Sequence, residues 1–216
     1  MNLPFLLFNA VVLAALWFFW SRWRGAMRAE FIRAYHFPPG LLDKLAAKRP
    51  QFERKDRELV ARALRQFFLA YLKSGRKFVS MPSQAADDLW HEFILYTRHY
   101  QTFCKQAFGR YLHHTPAIVL SPDRRGNEGL RRVWWHTCKE ENIDPRQPTR
   151  LPLLFALDGK LGIADGFHYT PDCSSLRKNG NGGTYCGGDF SDTSVDGSND
   201  GFGDSGGGDG SGCGGD

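Results

Sequence analysis

The feature that most constrains this chain is an uninterrupted apolar stretch near its N-terminus. Residues 3–20, LPFLLFNAVVLAALWFFW, contain no charged side chain and one strongly polar side chain, Asn9. A run of this length is at the lower end of what spans a bilayer, and as a helix it rises about 27 Å. The sequence therefore predicts a single transmembrane anchor within residues 1–22.

The alternative to an anchor is a cleaved signal peptide. No basic residue precedes the apolar run, and the bulky sequence LWFFW stands where small cleavage-site residues would be expected. Arg22, Arg24 and Arg28 follow the run, and the positive-inside tendency then predicts a cytoplasmic body. The expectation is a single-pass membrane protein that contacts the bilayer through residues 3–20 and attracts anionic lipid through these three arginines.

Charge is divided unevenly along the 216 residues. The chain has 28 basic and 23 acidic residues, no Lys or Arg follows Lys178, and seven Asp lie beyond it, so the body has a net charge of +12. A basic body is compatible with nucleic acid, an anionic membrane surface or a solvated exterior. Nucleic acid is not the expected partner, because an amphipathic helix with basic flanks explains Trp134 and Trp135 more simply than base stacking does.

The C-terminal segment, residues 179–216, differs in composition from the rest. Fifteen of its 38 residues are Gly, and Ser, Asp and Asn fill most of the remainder. A segment with almost nothing to bury cannot offset the entropy lost on ordering. Its aspartates also lack the fixed period of calcium-binding β-helix repeats. We therefore expect a disordered, acidic, Gly-rich tail.

Between the anchor and the tail, residues 23–178 predict a mainly α-helical domain. Apolar residues recur at helical spacing from Leu59 to Leu72, which indicates an amphipathic helix. Residues 151–173 are too mixed to assign beyond a compact loop or a small hairpin. Further, shorter helices are predicted over residues 26–37, 41–50 and 128–141.

A second long helix carries most of the chemistry-bearing residues. Ser83 is a suitable N-cap, and no Gly or Pro interrupts the sequence from there to Gly109. On a helical wheel the aromatic side chains, from Phe103 to Ile94, cover about half of the circumference. Cys104 falls within this arc and is therefore expected to be a small buried hydrophobe.

The opposite arc contains Asp87 and His91, which are four residues apart and meet on adjacent turns. The carboxylate can orient one imidazole nitrogen so that the other binds a metal, or the pair can act as a base and its orienter. An ion pair on the helix surface is an equally good interpretation. The HExxH zinc motif is absent, because Leu occupies position 95.

Further metal ligands would come from other histidines. A straight helix from residue 91 to residue 109 covers about 27 Å, and five extended residues return at most about 17 Å. His113 and His114 would therefore reach His91 only if the helix bends, whereas His99 lies nearer the turn. The candidate ligands for a divalent metal such as zinc are Asp87, His91, His99, His113, His114 and His136.

The sequence from residue 87 to residue 116, DDLWHEFILYTRHYQTFCKQAFGRYLHHTP, resembles the D-x-x-W-H motif and the following elements of the glycine-rich domain-containing proteins of bacteria and plants. That family has no established activity, so the resemblance implies a helical domain and no reaction. The tail holds fewer cysteines than the resemblance leads one to expect. The matching positions are Asp87, Trp90, His91, Tyr100, Cys104, Phe108, Gly109, His113 and His114.

Two functional hypotheses follow. The leading one is a membrane-anchored, non-enzymatic binding or scaffold module built around the Trp90 helix, with a protein or anionic lipid as partner. The alternative is a metal-dependent enzyme or metal sensor that uses Asp87 and His91, with a bound water as the nucleophile if a coordination position stays open. No Gly-rich phosphate loop and no GxSxG motif is present, so the sequence assigns no reaction.

Overall fold

The structure is a computed structural model that describes residues 3–114, 128–171, 185–186 and 190. These residues form seven helices and one two-stranded parallel sheet, which confirms a mainly α-helical body. The helices are α1 (Leu3–Ala34), α2 (Leu41–Lys48), α3 (Arg54–Lys73), α4 (Gln84–Leu95), α5 (Thr97–Ala107), α6 (Glu128–Glu140) and α7 (Leu153–Lys160), and the strands are β1 (Tyr169–Thr170) and β2 (Tyr185–Cys186).

Helix α1 does not end where the predicted anchor ends. It runs for 32 residues, and its apolar first half continues without a break into a charged second half. In the part of the chain that the structure describes, no helix is both long and apolar enough to cross a bilayer. The predicted anchor at residues 1–22 is therefore wrong, as are the single-pass membrane location and the contact with the membrane through residues 3–20. The cytoplasmic placement loses the anchor from which it was derived, and the attraction of anionic lipid by the three arginines stays a prediction. The charged residues of the second half are Arg22, Arg24, Arg28, Glu30 and Arg33.

The last turns of α1 belong to the core of the body. Ile32 is fully buried, and the ring of Phe31 lies 5.9 Å from that of Phe103 on α5. Tyr35, just after α1, packs closer still, with its ring 4.6 Å from the same phenylalanine. Burying these aromatic rings fixes the end of α1 against α5.

Helix α3 lies at the centre of the body, where it contacts α1, α2, α4, α6 and α7. Its consecutive residues from Phe67 to Tyr71 are all buried. Because consecutive residues point in different directions around a helix, this run can be buried only if other elements cover α3 on most sides. The N-terminus of α3 is closed by a capping box between Glu53 and Asp56.

The N-terminus of α4 is held by α7, a helix that lies where the sequence predicts a compact loop or a small hairpin. The predicted cap is confirmed, since the Ser83 hydroxyl accepts a hydrogen bond from the N–H of Ala86. The buried Asp158 carboxylate of α7 accepts further bonds from the Ser83 hydroxyl (2.7 Å) and from the N–H groups of Gln84 (2.7 Å) and Phe167 (2.9 Å). A carboxylate at a helix N-terminus satisfies otherwise unpaired donors, so α4 is fixed at this end.

Two short pieces of the predicted tail pack on the body. Strand β2 pairs in parallel with β1. Phe190 is buried, with its ring 5.7 Å from that of Trp134 and 5.9 Å from that of Phe155. The prediction of disorder otherwise concerns residues outside the described part of the chain.

Candidate metal centre

The predicted long helix is two helices, α4 and α5, that meet at Tyr96. This residue has φ −79° and ψ 59°, which is not helical, and its N–H donates to the Phe93 carbonyl. The two helices pack against each other, and the rings of Phe93 and Tyr100 are 5.2 Å apart in an edge-to-face arrangement. The prediction of an unbroken helix to Gly109 is therefore wrong, and the chain bends between His91 and His99.

A buried hydrogen-bond chain holds the segment after α5 beside α4. The indole N–H of Trp90 donates to the Tyr100 hydroxyl at 3.1 Å, and that hydroxyl donates to the Leu112 carbonyl at 2.6 Å. All three residues are buried. Burial, with a smaller contribution from the Cys104 thiol, raises the pKa of Tyr100 far above its usual range, so the phenol keeps the proton that it donates. Leu112 is thereby fixed two residues before His114.

Gly109 makes the turn that sends the chain back from the end of α5. Its φ is +75°, and its N–H donates to the carbonyls of Cys104 and Lys105. A Cβ at this position would lie 2.7 Å from Nη2 of Arg28. Both the left-handed backbone and the close guanidinium therefore favour Gly here.

The bend and the turn bring His114 to the first turns of α4. Its Nε2 lies 2.9 Å from Oδ1 of Asp87, while Nδ1 of His91 lies 3.3 Å from Oδ2 of the same carboxylate. The two imidazole rings are 4.1 Å apart, and the Trp90 ring packs edge-on against His114 at 4.6 Å. One donor atom from each of Asp87, His91 and His114 lies within 4.8 Å of the other two.

This arrangement has dimensions close to those that a divalent metal requires. Tetrahedral ligands about 2.1 Å from a zinc ion are about 3.4 Å from one another. The two carboxylate–imidazole separations, to different oxygens of Asp87, are 3.3 Å and 2.9 Å, and one donor atom of each residue lies within 4.8 Å of the others. The Asp87 and His114 side chains are 7% and 12% exposed, whereas His91 is 47% exposed. The group is thus enclosed on one side and open to solvent on the other.

The partners of Asp87 differ from those of the other buried aspartates. Asp88 is paired with Lys48 at 2.6 Å and with Arg49 at 2.8 Å. Asp158 accepts hydrogen bonds from a hydroxyl and from backbone N–H groups. Among the described side chains, the Asp87 carboxylate contacts only the two imidazoles. A buried carboxylate needs compensation, and here the compensating groups are imidazoles, a side chain that can also bind a metal.

The remaining candidate ligands lie elsewhere. His99 and His113 are exposed and have Tyr96 and Tyr111 as ring neighbours. Burial, with a smaller effect of Lys73, lowers the pKa of His136 to about 4. Within the described ranges, the one group of three or more possible ligands is Asp87, His91 and His114, so these three histidines are not part of it.

Cys104 is also no part of this group. It is buried, as expected of a small hydrophobe, and its burial raises the pKa of the thiol. The sequence reading missed Tyr100 and Leu112 as positioning residues, because a hydrogen bond to a backbone carbonyl leaves no mark in the residue pattern.

A comparison with protein-family models gives one match that covers most of the chain. The model described as UCP032817-like matches residues 27–190. The chain belongs to the UCP032817-like family. The UCP032817-like family is uncharacterised and is not a glycine-rich domain family, so the resemblance to glycine-rich domain-containing proteins is wrong. The residues matched to it include Asp87, His91 and His114 and extend to the buried Phe190. Comparisons with curated proteins and with solved structures find no match.

Proposed function

We propose that the protein binds a divalent metal ion through Asp87, His91 and His114 and uses it to activate water for a hydrolytic reaction. The observation that carries the proposal is the buried Asp87 carboxylate between two imidazoles, with one donor atom of each residue within 4.8 Å of the others. Two His and one carboxylate are a common ligand set of hydrolytic zinc enzymes. The same set also suits non-haem iron(II), so the identity of the bound metal is part of the test.

The exposure of the three side chains supports catalysis rather than a closed structural site. Structural zinc sites use four protein ligands, whereas catalytic sites use three and keep a position for water or substrate. The three ligands here leave such a position, and the half-exposed His91 places the group next to solvent. A metal in this position would lower the pKa of a bound water to near neutrality and so supply a nucleophile.

A simple surface ion pair accounts for less of the geometry. It would explain the contact of Asp87 with His91, one turn apart on α4. It would not explain why the Asp87 side chain is only 7% exposed, nor why His114, 27 residues away, contributes the shorter of the two contacts. The hydrogen-bond chain from Trp90 through Tyr100 further orients the segment that carries His114.

The scaffold hypothesis stays a prediction without its membrane anchor. Trp90 is 2% exposed and packs against Phe67 and Phe68 of α3. A partner surface on this helix would therefore have to use its polar side, where His91 is exposed.

The decisive experiment is elemental mass spectrometry of the full chain, purified without a histidine tag and reconstituted with zinc, manganese or iron(II) before removal of free metal. We expect about one metal ion per chain. His91→Ala should lose the metal while its circular dichroism is unchanged, because this side chain is half-exposed. His99→Ala is the matched control, since it removes an exposed histidine of the neighbouring helix and should keep the metal.

Hydrolysis is then measured with chromogenic carboxylate and phosphate esters, with the metal-loaded chain compared with chelated protein and with His91→Ala. Activity that requires both the metal and His91 supports the proposal. Failure of the wild-type chain to retain any of the three metals, or equal retention in both variants, would contradict the site. A retained metal without activity towards any ester would contradict the hydrolytic reaction alone.

A further inference from the structure

A second cluster of charged residues lies outside the candidate metal centre. It lines a cavity of about 920 Å³ between the second half of α1 and the end of α3. Among the residues that the structure describes, Glu30 is the one carboxylate in this lining. The cations of the lining are Arg22, Arg24, Arg28, Arg33, Lys73 and Arg76.

Three of these cations have structural partners of their own. Arg33 pairs with Glu140 of α6 at 2.7 Å, and Lys73 pairs with the same carboxylate. Arg22 lies over the ring of Phe18, 5.7 Å from its centroid. Arg22, Arg24, Arg28 and Arg76 pair with no carboxylate of the described residues, and the charges of Arg24 and Arg76 both act on Arg28.

Two of these guanidinium groups, those of Arg28 and Arg76, meet at one turn of the chain. Arg24 and Arg28 are four residues apart on α1, a spacing at which like charges repel. The Arg28 guanidinium lies against Gly109, and Nη1 of Arg76 donates to the adjacent Phe108 carbonyl at 2.9 Å. None of Arg24, Arg28 and Arg76 is paired with a carboxylate among the residues that the structure places. Burial, and then the charges of Arg24 and Arg76, lower the pKa of Arg28.

The end of α5 compensates only part of this charge. The C-terminus of a helix carries about half a negative charge, and one of its carbonyls already accepts from Arg76. At least two of the three positive charges are left without a fixed counter-charge. An anion bound between the guanidinium groups would offset the repulsion between them.

We propose that Arg24, Arg28 and Arg76 form a binding site for a phosphate-bearing small molecule. Guanidinium groups match phosphate oxygens with paired hydrogen bonds, and three of them suit a group with more than one negative charge. Trp20, over which Arg24 lies at 4.5 Å, supplies an aromatic surface at the cavity for an organic part of the ligand. The site shares no residue with the proposed metal centre, although Arg28 lies against Gly109, at the turn that precedes His114.

Isothermal titration calorimetry of the full chain with inorganic phosphate and with pyrophosphate tests the proposal, with chloride as the reference anion. We expect saturable binding that is tighter for pyrophosphate, and a dissociation constant at least about tenfold higher in Arg28→Gln. Arg24→Gln changes an exposed side chain, so it should weaken binding without affecting the fold. Arg98→Gln, which removes an exposed arginine of α5, is the matched control and should bind as the wild type does.

Thermal unfolding gives an independent readout. Without added anion, Arg24→Gln should raise the melting temperature because repulsion is relieved, and pyrophosphate should stabilise the wild type more than this variant. The absence of any wild-type response to pyrophosphate at millimolar concentration would overturn the proposal. Unchanged affinity in both Arg24→Gln and Arg28→Gln would overturn it as well, as would capture by anionic vesicles without affinity for the free anions.

Discussion

Nε2 of His114 lies 2.9 Å from Oδ1 of Asp87, although 27 residues separate the two in the sequence. The contact depends on two changes of direction, the bend at Tyr96 and the turn at Gly109. The Asp87 carboxylate of α4 therefore contacts both His91 and His114. Two sets of variants, at Asp87 and Asp88 and at Tyr100 and Tyr111, test this arrangement.

Replacing Asp87 and Asp88, which are adjacent on α4, by asparagine should have opposite effects on metal affinity and on stability. Asp87→Asn should lower metal affinity by at least about a hundredfold, yet change the unfolding free energy of the metal-free protein by less than about 1 kcal/mol, because its partners are not fixed cations. Asp88→Asn should keep the metal but lose about 1–3 kcal/mol, because it weakens the contacts of this buried side chain with Lys48 and Arg49, while Arg49 keeps its pair with Asp165. Urea unfolding with chelator and metal titration measure the two quantities. Loss of metal from both variants, or from neither, would contradict the separate roles.

Tyr100→Phe should weaken metal binding, although Tyr100 is not one of the three proposed ligands. The substitution removes the hydrogen bonds to Trp90 and to the Leu112 carbonyl, and so frees the segment that carries His114. Metal affinity should fall about tenfold, the lower end of the effect of residues that orient a ligand, and stability should fall by about 1–3 kcal/mol.

The control for this variant is Tyr111→Phe, at a half-exposed ring that packs edge-on against Tyr100. It should leave the metal affinity unchanged. A stability loss in Tyr100→Phe with unchanged metal affinity would show that the hydroxyl serves the fold alone.

His136 should make the protein less stable in mild acid. Its pKa is lowered to about 4 in the folded protein, mainly by burial. Between the unfolded value of about 6.5 and the folded value, the unfolded state binds more protons, so stability falls as the pH falls through this window. From pH 7 to pH 5 this one group should remove about 2 kcal/mol.

The measurement for His136 is the unfolding free energy in urea at pH 7 and pH 5. The difference between the two pH values should be about 2 kcal/mol smaller in His136→Gln than in the wild type. His99→Gln, at an exposed position, should retain the full wild-type difference. An equal pH dependence in all three proteins would contradict the assigned burial effect.

Local signals predicted much of the helical framework. Periodic apolar residues located α3 close to its observed bounds, and Ser83 was correctly assigned as the N-cap of α4. Both depend on interactions within a few residues, which a single sequence records directly. The short helix α7 was missed, because eight residues with few polar side chains show no helical amphipathicity.

The break at Tyr96 was missed because no Gly or Pro marks it. Tertiary packing determines it, through the rings of Phe93 and Tyr100. One signal was available in the sequence. The apolar arc covered about half of the wheel, which is wider than one helix face usually needs and is explained by two helices with different orientations. Treating the helix as straight placed His114 out of reach of His91, whereas the bend brings the two rings to 4.1 Å.

The bend and the turn also limit how this region can change during evolution. Helix α5 acts as a spacer between the two halves of the candidate metal centre, and each added residue would advance the chain by about 1.5 Å and rotate it by about 100°. An insertion or deletion within α5 would therefore redirect His114 away from Asp87, while substitutions on the solvent side of the helix would leave the spacing intact. Other members of the UCP032817-like family are expected to keep the length of this segment even where its exposed residues differ.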